Sequence, residues 1–242
     1  MRLVAPLAPL VFALSLDAGW AIDEVTTYAG GDKFYSRIAM DSGRYKNQTA
    51  GETLIIDLKK ETVYFLNDKE KRYFGGKLND VIADLRKNAM SEMNEEEDLF
   101  PAAEETEEKP VEIKRVKESF SVGGFTGEKY QILENGELKK ELFIARTLTA
   151  NSEIDPKKLS EIMLWLNGTS APSSKTRVEL SDEYVKLMKQ GYPIRTVEYD
   201  PGGGLILTTV IKAEKKTIAP EEFALPKDYA KIDSSEIYKP LE

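Results

Sequence analysis

Residues 53–76 read TLIIDLKKETVYFLNDKEKRYFGG. Apolar runs at Leu54–Ile56, Val63–Leu66 and Tyr73–Phe74 alternate with the polar groups Lys59-Lys60-Glu61 and Asn67-Asp68-Lys69. Short runs rich in β-branched and aromatic residues, separated by turn formers, predict two or three short strands joined by tight turns. Just upstream, Asp32–Lys46 has strand periodicity, with Phe34, Ile38 and Met40 on one face and Tyr35, Arg37 and Asp41 on the other.

Downstream the period changes. Leu78, Val81, Ile82, Leu85, Ala89 and Met93 recur at steps of three and four, with Met90 beside them, which predicts an amphipathic helix over 78–93. Residues 92–112 then break the composition, since ten of these 21 are acidic and Pro101 and Pro110 interrupt them. Without the ordered ligand spacing and glycine turn of a calcium loop, this run reads as a solvated linker. Strand text resumes at Val111, and Asn135-Gly136 marks a hairpin turn. Two short helices follow. Asp155 and Pro156 open the first, which carries Leu159, Ile162, Met163 and Leu166, with Gly168 as its stop. Ser181 caps the second, which carries Val185, Leu187 and Met188 and ends at Gly191.

The chain returns to strand text at YPIRTVEYD and LILTTVIKAEKKTI, separated by PGGG. Gly202–Gly204 precede a strand and not a helix, so they read as a hairpin turn and not as a phosphate loop. The segment EEFALPKDY, 221–229, reads as the last sheet edge, with Phe223 and Leu225 turned inward and Pro226 ending the ladder, so that the domain is complete at about Tyr229. Strands before and after helices, joined by hairpins, predict an α+β fold with an antiparallel sheet in one domain, 22–242, interrupted by the acidic linker.

The first 21 residues have the three parts of a secretory leader: Arg2, an apolar run from Leu3 to Leu16, and the small pair Gly19 and Ala21. The run is too short to span a membrane. The expectation is cleavage near Ala21, with Trp20 lost in the leader, and a soluble periplasmic product without stable membrane insertion. The chain has no cysteine, so neither a lipid anchor on cysteine nor a disulfide framework is expected.

Histidine is absent as well. This excludes Ser-His-Asp and Cys-His catalysis and metal sites built on histidine, and leaves carboxylate chemistry, lysine chemistry, a hard-cation site or no chemistry; no metal and no cofactor is the expectation. The formal net charge is −8, and no basic cluster is long enough to track phosphates, so nucleic acid is not an expected partner. Paired carboxylates remain chemically possible for a hydrolase, and abundant acids make chance pairs common. Met163, Trp165, Leu166, Leu187 and Met188 are the candidate ligand-lining residues. They read either as core or as a pliable apolar lid, because methionine adapts to varied shapes.

GYPIRTVEYDPGGG and TVIKAEKKTIAPEEFALPKDY, with KFYSRIAMDSGRYK and the 53–76 stretch before them, resemble the LolA/LolB lipoprotein-carrier superfamily, in a secreted bacterial branch. Phe223 and Pro226 match its Phe-x-x-Pro closing segment, and GEKYQI fits a mid-chain strand. The resemblance implies a half-open antiparallel β-barrel wrapped over a few helices that holds acyl chains on its concave side. The acidic run departs from the simple carriers. The expected function is therefore a periplasmic binding or carrier protein, not an enzyme, for a hydrophobic ligand such as a lipid or a lipoprotein acyl chain. The alternatives are an envelope sensor or scaffold that binds a protein partner, and a carboxylate hydrolase.

Overall fold

A computed structural model of the protein describes residues 18–93, 110–166, 178–199 and 204–236. The acidic stretch 94–109, the Gly168 stop and the Pro201–Gly203 turn lie outside the described residues. The opening stretch folds as β4 (Glu52–Asp57), β5 (Thr62–Asn67) and β6 (Arg72–Lys77), preceded by β2 (Lys33–Asp41) and β3 (Arg44–Gln48). Side chains hold its turns. Asp57 Oδ1 accepts hydrogen bonds from the backbone of Lys59 and Lys60 at 3.0 and 2.9 Å, and Asn67 Oδ1 accepts from Glu70 N at 3.0 Å. Asn135 and Gly136 both take positive φ, 54° and 79°, the geometry that joins β8 (Phe125–Glu134) to β9 (Glu137–Ala145) in a two-residue hairpin.

The predicted helix forms as α1 (Leu78–Met93). The helices α2 (Pro156–Leu166) and α3 (Asp182–Met188) start where their caps predict. Asp155 Oδ1 accepts from Lys157 N at 3.0 Å, and Ser181 Oγ accepts from Tyr184 N at 3.2 Å. With β7 (Val111–Val122), β10 (Tyr192–Tyr199), β11 (Leu205–Thr217) and β12 (Ala230–Lys231), this is an α+β fold.

One further strand, β1 (Ala18–Thr27), joins the two halves. It pairs antiparallel with β2 on one side and with β11 on the other, so the sheet runs β12-β6-β5-β4-β3-β2-β1-β11-β10-β9-β8-β7. Among the described residues only the short β12–β6 pairing is parallel. The sheet has two ends, β12 and β7, and does not close.

The structure moves the start of the fold upstream of the expected boundary at residue 22. Ala18–Ala21 are sheet, and Trp20 is 6% exposed in the main core, edge-on to Phe125. Trp20 and Ile22 share one face of β1 by strand alternation, which is why they bury together.

That core also takes Ile38, Met40, Ile56, Val63 and Phe74 from the sheet, Val81 from α1, and Ile162 and Leu166 from α2. Each large side chain buried there contributes about 1.5–3 kcal/mol. On β9 the faces alternate. Phe143 and Ala145 join this core, while Leu142 and Ile144 join a second cluster with Tyr130, Ile132, Val178, Leu187 and Met188. Helix α3 thus covers the reverse face of β8 and β9. Lys140 of β9 bonds Glu179, in the turn before α3, at 2.5 Å, and Glu198 of β10 at 3.0 Å.

The closing segment departs from expectation. Pro220–Phe223 is a helical turn against β3 and β4, with Arg44 stacked 4.6 Å over Phe223 and Lys46 bonded to Glu222 at 3.0 Å. The edge ladder starts only at Ala230, whose N–H bonds to Lys71 O at 2.9 Å. Pro226 has no N–H to offer, so the ladder begins beyond it. Ile232 then packs on the core and Ser234 is buried, so the domain continues past Tyr229.

Candidate functional site

Continuing the alternation of β1 from Trp20 and Ile22 brings Glu24 onto the same face. A register shift against β11 between Asp23 and Glu24 leaves Glu24 opposite Val210, itself 1% exposed. Tyr192, at the start of β10, donates its hydroxyl to Glu24 Oε1 at 2.9 Å. The other carboxylate oxygen takes no protein hydrogen bond and is not among the sealed polar atoms, so it meets solvent. The side chain is half-buried.

Burial raises this carboxyl from 4.5 to about 7, against the smaller lowering effect of the Tyr192 hydrogen bond. The electrostatics follow from what surrounds it. Tyr45 and Tyr192 are each 6% exposed. Burial pushes both phenols up, and the Glu24 charge adds to that. Asn47 lies beside Tyr45, and its Oδ1 is buried without a partner. Among the described residues no lysine or arginine forms an ion pair with Glu24, whereas its neighbour Asp23 is bonded to Arg37 at 3.0 Å. The result is a small acidic island, without an ion pair among the described residues, on a core face that also carries Arg195, stacked over Phe120 and Phe143 at 4.9 and 5.8 Å.

Replacing Tyr192 by phenylalanine is expected to raise the Glu24 titration further, because the hydrogen bond that favours the charged form is lost. Carbon-detected NMR of the glutamate side-chain carboxyls across pH 5–9 reads this directly. An unmoved or lowered midpoint would contradict the assigned contact.

The candidate lining set is divided. Met163 and Leu166 pack on the main core, and Leu187 and Met188 belong to the cluster on the reverse face of β9. Trp165 lies in α2, but its side chain is outside the described residues. The helices α2 and α3 touch each other, but their buried side chains enter separate clusters. The groups that bear on the Glu24 carboxyl are tyrosines, so the facing acids that a carboxylate hydrolase needs are not brought together there. Among the described residues no three acids gather as metal ligands, and no helix is long and apolar enough to cross a membrane.

A surface cleft of about 570 Å³ opens beside the β2–β3 turn, between Gly43, Leu58, Asn151, Ile154 and Lys189. Its polar groups are used by the fold: Gly43 N bonds Glu153 O, and Asn151 Nδ2 bonds the carbonyls of Met188 and Gly191.

A family model described as "Domain of unknown function (DUF4412)" matches residues 10–229. The chain belongs to this family. No curated protein matches this DUF4412 chain. Among solved structures, PNGF-II is similar at TM-score 0.40 and 11% identity over 90% of the DUF4412 chain and 31% of its own. MucB is similar at 0.41 and 10%, over 88% of this chain and 59% of its own. The LolA superfamily protein NE2245 from Nitrosomonas europaea is similar at 0.31 and 6%, over 87% and 91%. The DUF4412 chain thus spans about a third of PNGF-II and under two thirds of MucB. At this level the likenesses carry no argument about what the DUF4412 protein binds.

The sequence reading started the fold at Ile22, after the expected leader, and so did not follow the alternation of Trp20, Ile22 and Glu24. Gly19-Trp20-Ala21-Ile22-Asp23-Glu24 contains the signal, an acid in phase with a tryptophan and an isoleucine.

Proposed function

We propose that this protein is a secreted, periplasmic binding or carrier protein that takes up a hydrophobic ligand, such as a lipid or a lipoprotein acyl chain, on the core-bearing face of its open sheet, without catalysis. One observation carries this reading. Leu54, Phe65, Phe120, Val122, Phe125 and Met163 pack against the main core yet keep solvent contact. Apolar side chains left part-exposed around a core gain about 25 cal/mol for each Å² that a ligand covers. The open sheet supports the reading because its edges leave room for entry. Native mass spectrometry of protein purified from a bacterial periplasm, followed by organic extraction, tests it. A co-purifying lipid-sized mass is expected. Ligand-free protein that also fails to bind a C12 alcohol would overturn the reading.

The β1–β2 hairpin favours a second reading, a scaffold or sensor that binds a protein partner. Tyr28, Phe34 and Tyr35 are 45%, 55% and 61% exposed there, with the Tyr28 and Phe34 rings edge to face at 5.4 Å. Changing all three to serine separates the readings: partner capture fails under the second, and lipid uptake survives under the first.

A further inference from the structure

We infer that Glu24 is the headgroup site of this face and that the ligand carries a positive charge, a primary or quaternary ammonium on an alkyl chain. The inference rests on the hydrophobic-ligand reading and adds the chemistry of the head.

The fold itself has no use for a charge at this position. Tyr192 Oη needs only an acceptor at 2.9 Å, which the amide oxygen of a glutamine would supply equally well. A half-buried carboxylate without a cation costs free energy, and its register partners are Ser36 on β2 and Val210 on β11, neither of which is charged. Tyr192 and Tyr45, the phenols that act on it electrostatically, are buried and neutral. Among the described residues no ion pair answers its charge, and one of its oxygens takes no protein hydrogen bond.

An ammonium group completes such a site. It supplies the missing counter-charge, and a primary ammonium does so through a charge-assisted hydrogen bond to the carboxylate. An anionic head would meet like charge, and a neutral head would leave the carboxylate desolvated and unpaired. From Glu24 the strand continues through Thr26, hydroxyl-bonded to Thr208 at 3.0 Å, to Tyr28 at the hairpin end. Four residues of strand are about 13 Å, so a polar track leads from the rim to the carboxylate. Below it, Ile22 and Trp20 begin the apolar core. The order polar rim, acid, apolar interior matches an amphiphile with its cationic head toward the opening.

Calorimetric titration at pH 8 with dodecyltrimethylammonium, dodecanol and dodecanoate, each below its micelle concentration, tests this on the folded protein. The wild type is expected to bind the ammonium at least tenfold tighter than dodecanol, and dodecanoate most weakly. Glu24→Gln should bring the ammonium down to the level of dodecanol, whereas Asp23→Asn, which removes the neighbouring acid already paired with Arg37, should retain the preference. Equal binding of all three probes by the wild type, or an unchanged preference in Glu24→Gln, would overturn the headgroup assignment and leave the hydrophobic-ligand reading standing. Binding of none would overturn both.

Discussion

Replacing Glu24 by glutamine is expected to stabilise the protein at pH 8 by about 2–3 kcal/mol, which raises the melting temperature by roughly 5–10 °C. The sign follows from proton linkage. The carboxyl titrates at about 7 in the fold, against 4.5 for an ordinary glutamate, because burial disfavours its charged form. Between those two values the folded state holds a proton that the unfolded chain has released, so stability falls as pH rises from about 4.5 to about 7. Below that window the carboxyl is protonated in both states and its contribution is fully present. Above the window the carboxylate is charged inside the fold, and the loss is complete. Glutamine has the shape without the titration. The difference in stability between variant and wild type should therefore be small at pH 4.5, grow to pH 7 and level off by pH 8. Urea unfolding of both proteins at these pH values measures it, and the difference removes the contributions of the other acids. A constant difference across the series would mean that the carboxyl is not perturbed by burial.

Changing Trp20 to alanine is expected to cost about 3–5 kcal/mol, the range for truncating a large aromatic in a core. Trp20 packs edge-on to Phe125 with ring centroids 6.3 Å apart and is 6% exposed. Its strand is fixed on both sides, with Trp20 opposite Met40 of β2 and Lys215 of β11. Gly19 approaches so closely that a Cβ there would lie 2.4 Å from Met40 O. A chain that started at Ile22 would lose this central pairing and is expected to be far less stable than one that started at Ala18. Under the proposed secretion, N-terminal sequencing of a processed product is expected to read from a residue at or before Ala18. Ala13 and Ser15 offer a small-x-small pair in that position. A folded product beginning at Ile22, with a melting temperature equal to that of the longer chain, would contradict the role of β1.

Residues 53–76 were legible almost completely, because turn-forming side chains and strand alternation are local effects. Asp57 and Asn67 hold their turns within three residues of themselves, and Asn135-Gly136 adopts the positive φ its composition allows. The caps of α2 and α3 were equally local. The closing segment was not. Phe223, Leu225 and Pro226 have an apolar composition that suits an edge strand, but whether they pair depends on the space left beside β6, and the ladder formed at Ala230 instead. The packing of the lining set was not legible either. Met163 and Leu187 lie on consecutive helices that touch, yet they enter different clusters.

The sequence by itself determined the excluded chemistries, the α+β class and the position of most strands and helices, since these rest on composition and on periods of two or 3.6 residues. Only the tertiary structure decided that β1 is the central join of the sheet, that α2 and α3 fill different clusters, and that Glu24 meets Tyr192. Those two residues are 168 apart in the chain, and no local pattern links them. Burial, and with it the raised titration of the acid, is set by the elements that converge from both halves of the chain.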